Sequence, residues 1–305
     1  MSARYGSRTR SGEAVSDLGR RGEAGGGGAV LQPYEEIFTA PGTWTKPAGA
    51  TSVDVFLVGG GGGGGVAGDP AAPIGVPYNV SGAGGGGGVR VAYGVPVSAP
   101  VPVTIGAGGA AGIYTPTTIT SASIGGTSAF GPLGPGPVPA IPAPTIFVDG
   151  GGRGGNFAIP GTPNTPRFPP TPSVPTSAPE NGGGGGGGGW NTGDQVGGKY
   201  GQPGSPYLSP IGRGGAGGGA RSGTYGTYGG QGYDGYGGGG ATRGPNGYGM
   251  ASDGGGTNYS PTVTPFAAPN GSGWTNRGGG GAGSNGPLEG GYNGGSGIVI
   301  VRWQE

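Results

Sequence analysis

Apolar and polar residues alternate clearly in only a few short stretches of this chain, and those stretches predict its strands. Val53, Val55 and Leu57 alternate with Asp54 and Phe56, the two-residue period of a half-buried strand. The wider segment 34–58 reads as β structure punctuated by turns at Pro41-Gly42 and Pro47-Ala48-Gly49. Val89–Val97, Val101–Ile105 and Ile298–Trp303 are the remaining strand candidates. The last stands alone after a long glycine-rich stretch. An unpaired apolar strand is an aggregation hazard, so it is expected to pair with the N-terminal β unit, beside Val53–Val58. Almost no α-helix is expected, because Gly and Pro cost about 1 and 3 kcal/mol per interior helical position. The one helix-like segment, SGEAVSDLGRR at 11–21, is too short to be stable alone.

Between the strands, glycine runs replace the alternation. They occur at 59–65, 82–88, 106–112, 150–155, 182–189, 212–219, 237–240, 278–283 and 290–297. Gly and Pro make up 89 and 32 of the 305 residues, a composition whose default is low complexity or disorder. A net charge of +1 means that self-repulsion does not hold the chain open. The runs break any Gly-X-Y triplet and exclude collagen. Ordering such a chain costs about 1–2 kcal/mol per residue, more than a small apolar core offsets, so backbone hydrogen bonds between neighbouring runs must contribute heavily. Polyproline-II geometry, three residues per turn, points every N–H and C=O outward toward such neighbours. Glycine then serves as a core residue because a methyl group would be in the way. The alanines of 106–112 are expected on the bundle surface, and the proline-rich segment 156–181 is expected to be extended.

Three segments in order, FTAPGTWTKPAGATSVDVFLVGGGGGGG (Phe38–Gly65), VPVTIGAGG (Val101–Gly109) and GGSGIVIVRW (Gly294–Trp303), resemble the glycine-rich domain of tailed-bacteriophage virion proteins. The resemblance covers about 36–303 and includes fibre-tip adhesins, in which polyglycine-II helices form a sandwich and variable loops at one end touch the host receptor. It implies a mainly β and irregular fold. A small antiparallel β domain would be formed by both chain ends and joined to a polyglycine-II bundle. The expected division is a docking arm at 1–33, a β domain with the first glycine runs at 34–110, the bundle with its loops at 111–296, and a returning strand at 297–305. The implied role is a virion-surface protein of the tail or fibre that mediates host attachment. Its implied partners are other virion proteins of fibre, tail or capsid, and a host polysaccharide or outer-membrane protein. A homotrimer is compatible with that role. An architectural virion component (capsid fibre, decoration or tail knob) and a glycine-rich RNA-binding or matrix protein are the alternatives.

Candidate chemistry is sparse. Cys and His are both absent, which removes thiolate chemistry, the usual zinc ligands and histidine acid–base catalysis. The acidic residues are scattered, so no carboxylate pair is placed for glycoside hydrolysis. G-x-G-x-x-G matches by composition alone, and no helix former follows to hold a phosphate. No enzyme activity and no cofactor are expected. Arg153, Arg213 and Arg277 each begin an RGG, but they lie far apart and make no basic stripe, so nucleic-acid binding is not expected. No apolar stretch approaches the roughly 20 residues of a membrane helix, and no secretory signal is expected.

The aromatics are the residues most suggestive of recognition. Tyr225, Tyr228, Tyr233 and Tyr236 form two pairs at three-residue spacing, which puts each pair on one face of a threefold helix. Such rings either shelter the bundle backbone or form an exposed ladder. Tyr78, Phe168, Trp190 and Tyr207 lie in segments between runs, as do Tyr259, Phe266 and Trp274, where amphipathic rings give contact area at low entropy cost. With chain direction alternating between runs, one set of loops at a common end would hold Tyr78, the 156–181 segment, Tyr225–Tyr236 and Trp274. Arg4, Arg8, Arg10, Arg20 and Arg21 give the first 24 residues their basic character and mark the arm expected to dock on another virion protein.

Overall fold

The structure is a computed structural model. It describes residues 3–4, 32–66, 81–115, 118–132, 146–155, 211–212, 232, 236–240, 243–244, 247–248, 272–283 and 290–304. The described part is all-β, with every strand pair antiparallel and no helix.

A six-stranded sheet is ordered β1 (Ala3–Arg4), β2 (Pro33–Phe38), β14 (Ile298–Gln304), β4 (Ser52–Val58), β5 (Val89–Pro96) and β11 (Ile211–Gly212). The C-terminal strand therefore lies between the first two long strands. Val299 faces Phe38 on one side and Leu57 on the other, and Val301 faces Glu36 and Val55. In β4 the alternation places Val53, Val55 and Leu57 inward, each buried, with Asp54 outward. A register shift between Val53 and Val55 marks a bulge in the β4–β5 ladder. Gly94 opposite it takes φ +61° and donates its N–H to Asp54 Oδ1 at 2.8 Å.

The second sheet has four strands in the order β10 (Ile146–Val148), β9 (Ser128–Phe130), β6 (Val101–Thr104) and β3 (Gly42–Trp44). The two sheets share one apolar core. Trp44 sits in it fully buried, edge-on to Phe130 at 6.0 Å and to Trp303 at 5.8 Å. Arg90 reaches across the sheet edge to donate Nη1–H to the Phe147 carbonyl at 3.2 Å. Burial lowers its pKa from the usual arginine value. Two hairpins complete the described strands: β7 (Ile113–Thr115) with β8 (Thr118–Thr120), and β12 (Arg243–Gly244) with β13 (Gly247–Tyr248).

The glycine runs continue directly from these strands and pack around the first of them. Along 59–65 the N–H groups point in turn to three neighbours. Gly59, Gly62 and Gly65 donate to Gly88, Gly85 and Gly82; Gly60 and Gly63 to Gly126 and Ser123; Gly61 and Gly64 to Gly295 and Tyr292. These three neighbours run antiparallel to 59–65. Three parallel neighbours donate back: Gly151 and Gly154 to Gly60 and Gly63, Gly109 and Gly112 to Gly61 and Gly64, and Gly281 to Gly62. Along 59–65 the partner thus changes from one residue to the next and returns to the same neighbour at every third residue.

The six neighbours also close into a ring. Gly85 N–H bonds Gly152, Gly125 bonds Gly151, Gly126 bonds Ala107, Gly294 bonds Gly109, Gly295 bonds Gly279 and Gly84 bonds Gly281. All of these bonds are 2.8 or 2.9 Å. The result is a hexagonal lattice of seven backbones, with 59–65 at its centre. Segment 236–240 lies outside the ring, held by Gly240 N–H to Gly84 O and Gly280 N–H to Gly238 O. Run 182–189 and residues 213–219 lie outside the described residues, while Gly212 ends β11. The lattice draws its centre, one ring member and part of a second from residues up to 110, so the β unit and the bundle interleave along the chain.

Close approach is what requires glycine here. Of the glycines in these runs, only Gly237 and Gly278 have left-handed φ. A Cβ added at Gly60 would lie 2.7 Å from the Ala107 carbonyl carbon, and one at Gly62 2.6 Å from that of Gly152. Faces turned outward tolerate side chains, and Ala107 and Ala110 are exposed as expected. One ring member has only two glycines: in 121–127 every third residue is small and buried (Ala122, Gly125, then Ser128), whereas Ile124 points outward, 47% exposed. At the seam with the sheets, the buried Ser128 hydroxyl donates to Val58 O at 2.6 Å and accepts from Gly106 N–H at 2.9 Å.

Candidate recognition surface

The direction of the runs gives the molecule two ends. Runs 59–65, 106–112 and 149–155 leave the sheets from β4, β6 and β10; runs 81–88, 121–127 and 290–297 return to β5, β9 and β14. Run 278–283 is parallel to the outgoing set. Runs 59–65 and 81–88, 106–112 and 121–127, and 278–283 and 290–297 are therefore connected at the end away from the sandwich, and run 149–155 ends there at Gly155. At the first of these connections the buried Ser81 hydroxyl donates to Gly65 O at 2.7 Å and ties the two flanks of 67–80 together.

The described part of this distal end is the β7–β8 hairpin. Tyr114 pairs with Ile119 and Ile113 with Thr120, and Thr115 Oγ1 donates to Thr118 O at 3.1 Å. Ile113 is 57% exposed, an apolar side chain offered to solvent on a rigid base. Beneath the hairpin, Ala111 N–H is held by Asn293 Oδ1 at 2.7 Å. Sequence reasoning passed over this hairpin, although IYTPTTIT at 113–120 carries the signal of two β-branched arms around a Pro-Thr turn.

The aromatic candidates divide. Tyr78 lies outside the described residues, in the segment flanked by Val66 and Ser81 at the distal end. Phe168, Trp190, Tyr207, Tyr225, Tyr228, Tyr233, Tyr259 and Phe266 are likewise outside them. Tyr236 and Trp274 are described, and they belong to the sheet end. Tyr236 packs edge-on against Phe56 at 5.0 Å, on the outer face of the six-stranded sheet. The Arg277 guanidinium lies 5.4 Å from the Tyr236 ring centre and 4.8 Å from that of Trp274. The expected grouping of Tyr236 and Trp274 with the Tyr78 loop is therefore corrected. Trp274 precedes an outgoing run, Gly278 packs on Val58 and Gly59, and Tyr236 shelters sheet rather than forming an exposed ladder.

Arg4 stands in β1, in register with Glu36 of β2. Arg8, Arg10, Arg20 and Arg21 lie outside the described residues. Arg153 is half-buried within its run.

A family described as a glycine-rich domain matches residues 37–304. The chain belongs to that family. No curated protein matches it. In this glycine-rich domain the matched span begins in β2 and ends in β14, the two strands that lie side by side in the sheet. The family boundary thus coincides with the closure of the fold, and residues before 37 lie outside it. Among the described residues of the glycine-rich domain no group of three or more acidic side chains could hold a metal ion. What the arrangement offers is a shaft whose interior is backbone, with paired outgoing and returning runs connected at the end away from the sheets.

Proposed function

We propose that the protein is a structural component of a tailed-phage virion, carried on a tail or fibre, and that its distal end contacts the host surface. The observation that carries this reading is the polarity of the lattice. Outgoing and returning runs are joined at the end remote from the sandwich, so the connecting segments are mounted on a scaffold held by backbone hydrogen bonds. Recognition surfaces favour that arrangement, with adaptable loops on rigid elements. The order of the FTAPGTW…VGGGGGGG, VPVTIGAGG and GIVIVRW segments supports the virion assignment by resemblance. The ligand class is a host polysaccharide or outer-membrane protein, and contact is made through aromatic and apolar side chains such as Ile113 rather than through charge.

Gold-labelled antibody against the 113–120 hairpin, applied to purified particles, is the direct test. Label at the fibre or tail tip is expected, and purified protein should compete with particles for adsorption to cells. Label distributed over the capsid would favour an architectural role instead. Absence of the chain from purified particles would end the proposal.

A further inference from the structure

The two-residue strand β1 is a weak closure for a six-residue edge. It pairs Ala3 with Ile37 and Arg4 with Glu36; among the described residues nothing pairs with Pro33, Tyr34, Glu35 or Phe38 on that side of β2. The opposite edge of β2 is fully engaged by β14 over all six positions. Two ladder positions supply too few hydrogen bonds to outweigh the ordering of the residues that make them. The pairing therefore does not fix which copy of the chain provides the strand. Residues 5–32 tether β1 to β2 and span up to roughly 90 Å when extended, enough to reach a neighbouring molecule.

Charge narrows the occupant. Glu35 is already engaged by Arg302, whose Nε–H donates to Glu35 Oε2 at 2.6 Å. Glu36, 5% exposed and itself partnered, is in register with Arg4 of β1. The segment that reaches it, residues 1–24, carries five arginines against Glu13, Asp17 and Glu23. A basic strand complements this acidic edge, and Ala3–Arg4 of the chain itself is the strand that pairs there. Edge addition by an extended segment and exchange of an identical element between protomers are both established routes to association.

We propose that the free edge of β2 is a strand-exchange site, filled by the N-terminal strand of a second copy of this chain. Exchange links copies through their sheet edges and leaves the distal lattice end uncovered, so it is independent of what that end contacts.

Because the chain has no cysteine, Ala3→Cys and Ile37→Cys each introduce a single thiol. Facing residues of an antiparallel pair lie within disulfide reach. The two variants, mixed and mildly oxidised, should give a covalent heterodimer in large excess over either homodimer. Adding Arg4→Glu to the Ala3→Cys chain should lower its yield several-fold. A mixture giving no heterodimer, while the Ala3→Cys/Ile37→Cys chain closes entirely within itself at every concentration, would overturn the proposal. If Ile37→Cys impairs folding, sedimentation of the unaltered chain tests the same exchange. Its average mass should rise with concentration and fall back to monomer with Ala3→Pro, which removes a strand N–H. A constant monomer mass would refute exchange.

Discussion

Gly62→Ala puts a methyl group at the centre of the lattice, where the sign of the effect is diagnostic. The added Cβ would lie 2.6 Å from the Gly152 carbonyl carbon and 3.0 Å from Gly151 O. Carbon atoms in ordinary contact sit about 3.5–4.0 Å apart, so run 149–155 would have to retreat by about 1 Å. It is held to the central run by Gly151 N–H to Gly60 O at 2.8 Å and Gly154 N–H to Gly63 O at 2.9 Å. A further 1 Å carries both beyond hydrogen-bond distance. Each broken bond costs about 0.5–1.5 kcal/mol, or about 1–3 where a buried group is left unsatisfied. Together the two losses come to about 2–6 kcal/mol. Opposing them, Ala restricts the unfolded chain and would stabilise by about 0.4–1 kcal/mol where its backbone fits, and Gly62 is not among the left-handed glycines. Net destabilisation is about 1–5 kcal/mol, a fall in Tm of roughly 2–20 °C for a domain of this size. Urea titration followed by fluorescence of the buried Trp44 and Trp303, with calorimetry alongside, measures it. Ala110→Gly, at an exposed position of the ring, is the control and should cost no more than about 1 kcal/mol. A Gly62→Ala protein as stable as the unaltered chain, or more so, would refute close backbone packing as the reason for glycine.

Ser128→Ala should destabilise by about 2–4 kcal/mol in the same titration, since Val58 O and Gly106 N–H both lose a buried partner; a loss under about half a kcal/mol would mean that the seam is not held there. Deleting residues 298–305 opens β2 and β4 together and should yield insoluble or protease-sensitive protein, whereas a soluble product with an unchanged melting profile would contradict the sheet order. Arg302→Ala removes a solvent-exposed ion pair with Glu35 and should change stability by less than about 1 kcal/mol, read from the midpoint of the same transition. Amide exchange should be slowest at Gly61, Gly62 and Gly63, whose N–H groups are enclosed by six neighbours, and fast exchange there would argue against the ring.

Residues that carry a period of two were the most legible in the sequence. Val53–Leu57 and Ile298–Trp303 alternate or run apolar, and an unpaired apolar strand has few places to go, so the placement of β14 beside β4 followed. Strands β9 and β10 are three residues each, too short for any period to register. The glycine runs announced themselves, but the ring did not, because segment 121–127 shows only two glycines. Its signal was a small residue at every third position, which a search for glycine overlooks. The distal end was misassigned for Trp274 and Tyr236 because counting runs assumes that every run belongs to one alternating series. Segment 236–240 lies outside the ring, and 278–283 runs parallel to the centre, so the count loses phase. The exposed Ile113 carries no sequence mark beyond its place in a short β-branched hairpin.

The position of β14 between β2 and β4 sets an order of events during synthesis. The ribosome delivers β2, β4 and the central run first, and all three wait for Ile298–Gln304 and for the acceptors Tyr292 and Gly295. Contacts of such sequence separation make folding slow and leave strand edges open meanwhile. A chain that stops early lacks the strand that joins the two halves of its sheet and the run that closes its ring. The sheet and the ring are thus completed together, by the same late stretch of chain.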